Sequence, residues 1–336
     1  MNILYTCDNN YIWIMGISMI SLFENNREIE SINVYLLGDN ISGDNKQILN
    51  KLANQYSRKI EVIDVPNLKI PISLLSKRWP LSAFTRLFAG QLLPSNINKI
   101  IYIDCDTIIT GNIQYLQNFE LGDELFAGVK DCISRAYTKN IGIDKSFSYI
   151  NAGLLIINLE ALRKENISEK IDDYLKKYYF LINYADQDIL NGVFYRQIKT
   201  VPPQYNVMTV VVMHTYDEIN ALRRPINYYT RSEFEKAVIA PVIIHYTTNM
   251  RIIRPWYANT NHPLRDEFKK YFMLSPWKNN TLNKYEFKNR ESKMIEIIQY
   301  LPNKIAFRFL GILHAEIKPK YIKFKSVINY FGEKFK

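Results

Sequence analysis

The chain of 336 residues is poor in cysteine and glycine and has no long apolar run. Its three cysteines form no C-x-x-C pair, which argues against a disulfide framework or a structural zinc site and favours a reducing compartment. The 12 glycines and 13 prolines exclude collagen-like and low-complexity sequence. No apolar stretch approaches the roughly 20 residues that cross a bilayer. Asp8 interrupts the N-terminal apolar residues too early for a signal peptide, so we expect a cytoplasmic protein.

The net charge of +10 is concentrated near the C-terminus. Residues 278–336 contain 13 lysines and arginines against five acidic residues, which leaves about +2 for the rest of the chain. With 47% apolar residues the chain can bury a large core. We therefore predict a catalytic domain over residues 1–275 and a basic, aromatic-rich helical appendage over residues 276–336.

Short apolar runs alternate with helical patterns along the first 275 residues. This alternation predicts an α/β fold, a mixed, mainly parallel sheet flanked by helices, in which ligands bind beyond the carboxyl ends of the strands. The predicted helices cover residues 12–23, 45–56 and 82–93. The predicted strands are Asn2–Thr6, Ile32–Leu37, Ile60–Val65, Lys99–Ile103, Leu154–Asn158 and Val242–His245, the last three read as runs buried in a parallel sheet.

Asp104 and Asp106 come directly after the buried-type run Lys99–Ile103. In an extended segment, residues two apart project to the same side, so the pair could hold a hard divalent cation. A second D-x-D triplet, Asp186–Asp188, shows that the triplet alone carries no information; its position after a strand does. With His245, at the end of another apolar run, the set would suit Mn²⁺, with Mg²⁺ as the alternative.

Two further features remain open on residue chemistry alone. Arg86 is the single charge of its predicted helix and either faces solvent or binds phosphate or carboxylate oxygens. Asp186, Gln187 and Asp188 begin an apolar helical stretch, where they either complement the helix dipole or bind sugar hydroxyls.

Six segments follow one another in a specific order: NILYTCDNNY, LSAFTRLFAGQLLP, IIYIDCDTIITGNI, SYINAGLLIINL, ADQDILNGVF and IHYTTNMRIIRPW. In that order, over residues 2–256, they resemble glycosyltransferase family 8. These are retaining enzymes of GT-A fold that use UDP-sugars and include bacterial lipopolysaccharide galactosyl- and glucosyltransferases. The resemblance implies a UDP-glucose- or UDP-galactose-dependent hexosyltransferase with a single nucleotide-binding, Rossmann-like sheet.

Carried over position by position, the resemblance implies that Asp104, Asp106 and His245 bind Mn²⁺ bridging the diphosphate. Asp186 and Gln187 would lie beside the transferred sugar as the catalytic pair. Asp8 and Asn10 would contact the uracil and ribose of the donor, and Arg86 and Cys105 would also contact the donor. Asn151, Ala152 and Gly153 would line the donor-sugar pocket. Asp131 would lie on the acceptor side.

One departure concerns the closing motif of the family, His-x-x-Gly followed by Lys-Pro-Trp. Here Thr248 stands at the glycine position, and Arg254-Pro255-Trp256 comes three residues later than the pattern. Either Arg251 or Arg254 would then replace the lysine on the diphosphate. A missing glycine also removes a point of easy backbone reversal, which predicts a reshaped loop over the nucleotide.

The expected function is transfer of a hexose to a saccharide acceptor in bacterial surface-glycan synthesis. The acceptor would be lipopolysaccharide, capsule or glycoprotein, in some cases lipid-linked. Two alternatives compete: a phosphatase of the haloacid dehalogenase type using Asp104-Cys105-Asp106, and a non-catalytic nucleotide-sugar-binding module. The basic tail suits an anionic bilayer, which predicts a peripheral protein on the inner face of the cell membrane. No nucleic-acid-binding motif is present.

Overall fold

Alternate residues of the central strands face opposite sides of one sheet, and both sides are buried. In the strand Asn2–Asp8, Ile3 and Tyr5 belong to one core cluster and Leu4 to the other. Burial on both faces explains why these strands are continuous apolar runs instead of alternating ones. The computed structural model describes residues 1–65, 83–249, 251–287 and 303–334.

Within the described residues, ten strands form two sheets. The seven-stranded sheet has the order β3-β2-β1-β4-β7-β6-β8, and a three-stranded sheet has the order β5-β10-β9. The strands are β1 Asn2–Asp8, β2 Asn33–Asp39, β3 Lys59–Asp64, β4 Lys99–Ile103, β5 Thr107–Ile109, β6 Phe126–Lys130, β7 Ile150–Asn158, β8 Ile198–Thr200, β9 Val207–Met208 and β10 Ile243–His245.

Helices cover both faces of the large sheet. Those of the body are α1 Ile12–Glu24, α2 Gly43–Gln55, α3 Ala89–Leu92, α4 Gln114–Asn118, α5 Arg135–Asn140, α6 Leu159–Arg163, α7 Ile167–Tyr178, α8 Ala185–Phe194, α9 Thr209–Met213, α10 Tyr216–Arg223, α11 Arg231–Ile239 and α12 Arg265–Phe272. Near the C-terminus, α13 Asn303–Ile312 and α14 Lys318–Lys334 are joined by a π-helical turn, Leu313–Ile317.

The mixed, mainly parallel sheet is confirmed, but one predicted parallel strand is antiparallel and another lies outside the main sheet. β7 pairs antiparallel with both β4 and β6, and β10 lies in the small sheet, antiparallel to β5 and parallel to β9. An antiparallel strand buried on both faces has the same continuous apolar sequence as a parallel one, so composition could not separate them. The predicted helix 82–93 is a 3₁₀ turn, Thr85–Phe88, followed by α3; Ser82, the first residue of the predicted helix, lies outside the described residues.

The link between the two sheets positions the candidate site. Asp104 and Asp106 lie in the turn from β4 to β5, not in an extended segment as predicted. β10 pairs with β5 so that His245 lies opposite Thr107, and the Tyr246 backbone N–H donates to the Asp106 carbonyl at 2.9 Å. The antiparallel pairing thus brings a histidine 139 positions downstream to the D-x-D turn.

The C-terminal helices pack against the body. A Cβ on Gly311 would lie 2.0 Å from the Ala221 carbonyl oxygen, so only glycine permits this approach of α13 to α10. Asn140 donates through Nδ2 to the Pro319 carbonyl at 2.7 Å. A domain boundary at residue 275 stays a prediction. Across the described ranges, no helix combines the length and apolarity that spanning a membrane requires.

Candidate active site

Three metal-ligating side chains converge at the turn between β4 and β5. His245 Nε2 lies 3.5 Å from Asp104 Oδ2 and 3.1 Å from Asp106 Oδ1. One ligand atom from each of the three residues falls within 4.8 Å of the others, the separation expected around a shared cation. His245 is buried and the two carboxylates are mostly so. The chain thus offers a preformed site with one borderline and two hard donors.

Two arginines occupy the carboxylate oxygens that point away from this convergence. Arg86 Nη1 donates to Asp104 Oδ1 at 2.9 Å, and the Tyr102 hydroxyl donates to the same oxygen. Arg254 Nη2 lies 3.2 Å from Asp106 Oδ2. Each aspartate is therefore held by a cation through one oxygen and presents the other toward His245.

A hydrogen-bond chain fixes the histidine ring. His245 Nδ1 lies 2.9 Å from Asn206 Oδ1, while Asn206 Nδ2 donates to Asn151 Oδ1 at 2.8 Å. With its amide oriented in this way, Asn206 accepts the Nδ1 proton and leaves Nε2 as the ligand atom. A Cβ on Gly153 would lie only 2.2 Å from His245 Cε1, so the ring fits only against a glycine.

The protonation of Asp106 and His245 follows from their contacts with charged neighbours. Burial opposes ionisation of Asp106, but His245 and Arg254 outweigh it and hold the pKa of Asp106 at about 2. Burial alone would lower the pKa of His245, yet the two carboxylates raise it above its ordinary value. A proton and a metal ion would therefore compete for His245 Nε2.

Gln187 lies in a cradle of hydrogen bonds beside the metal-ligating group. Its Oε1 accepts from Asn151 Nδ2 at 2.9 Å and from the Ala152 backbone N–H at 3.1 Å. Its Nε2 donates to Asp131 Oδ2 at 3.0 Å and to the Tyr149 hydroxyl at 3.1 Å. The structure therefore brings together the predicted catalytic, donor-sugar and acceptor-side residues.

Below this cradle, the buried carboxylate of Asp188 accepts hydrogen bonds from Tyr149 at 2.7 Å and Tyr137 at 2.6 Å. It also accepts from the backbone N–H groups of Asn183 and Tyr184 at the start of α8. Asp188 thus supports the residues around Gln187 from within the core, while Asp186 contacts Arg86.

Asp186 and Arg86 form a second charge pair. Asp186 Oδ2 lies 3.1 Å from Arg86 Nε, although the N–H direction does not satisfy a hydrogen bond. Burial raises the pKa of Asp186 to about 6, against the opposing effect of Arg86. Arg86 also donates to the Ala152 carbonyl at 2.8 Å and stacks 4.2 Å from the centre of the Tyr102 ring. The solvent-facing interpretation of Arg86 is wrong, because the side chain is buried at the base of the site.

An open cavity of about 280 Å³, here called the active-site cleft, extends from Arg86, Asp104 and Asp106 along the end of β1. Asp8, Tyr11, Cys105 and Arg254 are part of its lining. Asp8 Oδ1 also accepts from the backbone N–H groups of Asn10 and Tyr11 at 2.9 and 3.2 Å. The Asn10 side chain is exposed and lines a neighbouring cavity instead, so it is not brought to the D-x-D turn.

The two arginines considered for the closing motif occupy different environments. Arg251 is exposed, whereas Arg254 contacts Asp106 and donates to the Thr248 hydroxyl at 2.8 Å and to Tyr11 at 3.3 Å. Thr248, the residue at the family's glycine position, is thus a hydrogen-bond partner of the arginine that reaches the site.

Sequence reasoning missed several supporting residues. Tyr102 could have been found, because it lies two positions before Asp104, in the apolar strand that precedes it. Tyr11 is the last residue of the first motif and lines the cleft. Asn206, which holds the ring of His245, lies in a short connecting segment with no recognisable pattern.

Comparison with known proteins agrees with this geometry. The family model described as glycosyl transferase family 8 matches residues 2–260. General stress protein A of Bacillus subtilis strain 168 is 27% identical over 281 residues, covering 82% of this chain and 94% of that protein. A lipopolysaccharide 1,2-glucosyltransferase of Escherichia coli is 27% identical over 303 residues, covering 88% and 85%.

Among solved structures, the galactosyltransferase LgtC, determined with donor and acceptor sugar analogues, superposes with a TM-score of 0.69. It is 21% identical and covers 84% of this chain and all of its own, a likeness that shows the shared GT-A fold. The family match leaves no support for the phosphatase alternative. Because the family model covers more than three quarters of the sequence, the chain belongs to glycosyl transferase family 8.

Proposed function

We propose that the protein transfers glucose or galactose from a UDP-sugar to a hydroxyl of a saccharide acceptor, with retention of anomeric configuration. The observation that carries the proposal is the convergence of Asp104, Asp106 and His245 beside a cleft that the two aspartates line together with Arg86 and Arg254. Carboxylates, an imidazole and arginines are the groups that a metal-bound diphosphate requires.

The donor set fits Mn²⁺, with Mg²⁺ as the alternative. When bound, such an ion would offset the negative charge that develops on the diphosphate as its bond to the anomeric carbon breaks. The contribution of the chain is to orient one oxygen of Asp104 and one of Asp106 toward His245. Arg86 and Arg254 hold the other two oxygens, so little reorganisation is needed on binding.

Arg254 is proposed as the cation that takes the role of the family's lysine. We expect Arg254→Gln to raise the KM for the UDP-sugar about tenfold, because a charged hydrogen bond to the diphosphate is lost. Arg251→Gln serves as the matched control and should leave the KM within about twofold. Equal effects of the two substitutions would contradict the assignment.

For the transfer step we propose attack on the same face as departure. Asp186 is paired with Arg86, and Asp131 is engaged by two side-chain amides, so neither carboxylate is free to form a covalent intermediate. The acceptor hydroxyl forms the new bond to the anomeric carbon while the bond to the UDP oxygen breaks. The proton of that hydroxyl passes to the departing phosphate oxygen.

The test is release of UDP from a panel of UDP-sugars, with and without Mn²⁺ and saccharide acceptors. Release with UDP-glucose or UDP-galactose that EDTA abolishes is the expected result. Proton NMR of the product gives its anomeric configuration, and an inverted product would overturn the proposed stereochemistry. Tight UDP binding without release from any donor would favour the non-catalytic binding module.

The acceptor proposed is a bacterial surface glycan, lipopolysaccharide in the first instance, a choice supported by the names of several relatives. We further propose that the enzyme works at the cytoplasmic face of the membrane. The support is a stripe of exposed apolar side chains at helical spacing on α14, flanked by exposed lysines. The apolar residues are Tyr321, Phe324, Val327 and Ile328, and the lysines are Lys320, Lys323 and Lys325.

Vesicle flotation tests this membrane contact. The full chain should float with vesicles containing phosphatidylglycerol and far less with neutral phosphatidylcholine vesicles. The double substitution Tyr321→Ser and Phe324→Ser should release it, because the two rings are 61% and 66% exposed. Ile239→Ser, at an 83% exposed position on the body, is the control. Undiminished flotation of the double variant would contradict the proposal.

A further inference from the structure

A second pocket lies where the C-terminal helices meet the body. It is enclosed by the end of α10, the loop after β6 and the π-helical turn, and it leaves about 30 Å³ of free space. We call it the seam pocket. Its lining includes three basic side chains, Arg223, His314 and Lys318. Tyr184, Cys132 and Pro319 also line it.

The three basic side chains of the seam pocket have no counter-charge. Arg223 Nε is fully buried without a hydrogen-bond partner, and within the described ranges none of the three residues forms an ion pair. The neighbouring Arg224, by contrast, pairs with Glu316. Placing two unpaired cations, Arg223 and Lys318, beside a pocket is unfavourable unless an anion joins them.

Burial and the neighbouring positive charges lower the pKa values of His314 and Lys318. Burial lowers the pKa of His314, and the positive charges of Arg223 and Lys318 lower it further. Burial and Arg223 likewise lower the pKa of Lys318, which stands at the exposed mouth of the pocket. Both directions are those that a bound anion would reverse.

The fold builds the pocket firmly. The π-helical turn Leu313–Ile317 interrupts an otherwise α-helical segment at the point where His314 and Ala315 face the body. π-helical turns of this kind redirect side chains and frequently mark functional positions. The close packing at Gly311 and the hydrogen bond from Asn140 to Pro319 hold the segment on either side.

We propose that the seam pocket binds a single phosphate group. Arg223, His314 and Lys318 together supply the charge and the hydrogen-bond donors that a phosphate dianion requires. The free space holds roughly two waters, enough for the outer oxygens of a phosphate but not for a sugar ring. The phosphate comes either from free inorganic phosphate or from a substituent on the acceptor.

The position of the pocket favours the acceptor. Cys132 follows Asp131 directly, and Tyr184 precedes Asp186 by two residues, so the seam pocket is lined by sequence neighbours of residues proposed for the transfer site. A phosphate held there would anchor a phosphorylated saccharide with its sugar toward Gln187. This use of the pocket rests on the proposed function, whereas phosphate binding itself does not.

Calorimetric titration with inorganic phosphate, at constant ionic strength and without divalent ions, tests the site directly. We expect Lys318→Gln and Arg223→Gln to weaken binding at least about tenfold. Lys320→Gln, an exposed lysine two residues away that does not line the pocket, should stay within about twofold. Circular dichroism confirms that each variant is folded.

Phosphate could also occupy the active-site cleft, so Arg254→Gln is titrated in parallel. Binding that is lost in Arg254→Gln and retained in Lys318→Gln overturns the proposal, as does wild-type binding no tighter in phosphate than in chloride. Since no turnover is needed, failure of the proposed transferase activity leaves this outcome readable.

The two phosphate sources are then separated by UDP-release kinetics. If the acceptor carries the phosphate, Lys318→Gln raises the KM for a phosphorylated acceptor and leaves the KM for its neutral form unchanged. If the ligand is free phosphate, adding it changes the kcat with a neutral acceptor in the wild type and not in Lys318→Gln. Either result supports the site.

Discussion

The active-site cleft and the seam pocket are both lined by charged side chains, but they balance these charges in opposite ways. In the cleft each arginine has a carboxylate within 3.2 Å. In the seam pocket three basic groups face one another without an acidic partner in the described part of the chain. Paired charges hold side chains in place before a ligand arrives, whereas unpaired ones leave a repulsion that only a ligand relieves.

The largest loss of activity is expected when a paired charge is removed from the cleft. Asp106→Asn should lower kcat/KM by at least about 1,000-fold, because a metal ligand and the partner of Arg254 are lost together. Mn²⁺-dependent UDP release measures the effect. Asp123→Asn, at an exposed position, is the control. A variant with near-normal turnover would show that the carboxylate does not bind the metal.

A second prediction disturbs the geometry and leaves every charge in place. Gly153→Ala should weaken Mn²⁺ binding by about 10- to 100-fold, since its Cβ would displace the His245 ring. Calorimetric titration with Mn²⁺ measures the loss. Gly111→Ala is the matched control, because a Cβ there meets neighbours at ordinary contact distances of 3.5 Å and beyond. Equal affinities in the two variants would contradict the role given to this contact.

The pairing of Asp186 with Arg86 predicts a pH dependence. Because burial raises the pKa of Asp186 to about 6, the carboxyl takes up a proton as the pH falls through 6 and loses its charge. We therefore expect kcat/KM to decline below pH 6. Asp186→Asn should be about tenfold slower at neutral pH and should lack this acidic limb. Persistence of the limb in the variant would assign it to another group.

The change in Tm should be small, and its direction should differ between the two sites. Lys318→Gln should leave the Tm unchanged or slightly higher in the absence of phosphate, because it removes a cation that Arg223 repels. Asp186→Asn should lower the Tm, since it leaves the buried Arg86 with less counter-charge. Thermal unfolding by calorimetry measures both. A clear loss of stability in Lys318→Gln would indicate that the seam charges are already balanced.

The strands were largely predictable because burial on both faces produces continuous apolar runs, and β1 to β4 lie within two residues of the expected positions. Direction was not predictable. β7 lies between β4 and β6, and its backbone could form hydrogen bonds with them in either direction with the same apolar side chains. Its amino-acid composition therefore does not reveal that the pairing is antiparallel.

The candidate site divides along similar lines. Residue types that carry chemistry at strand ends, such as Asp104 and His245, could be recognised from the sequence. The choice between Arg251 and Arg254 could not, because it depends on how the backbone runs after Thr248. Asn206 was missed because its role comes from a contact with a strand 39 residues away.

The ligands of the candidate metal site come from the turn between the two sheets and from β10 of the small sheet. The Tyr246 backbone N–H donates a hydrogen bond to the Asp106 carbonyl and holds these two segments together. A chain emerging during synthesis therefore exposes its two aspartates long before the histidine that completes the set. Tight capture of an ion must await docking of β10, so occupancy would report that the small sheet has assembled. Added Mn²⁺ should accordingly raise the unfolding temperature of the finished protein.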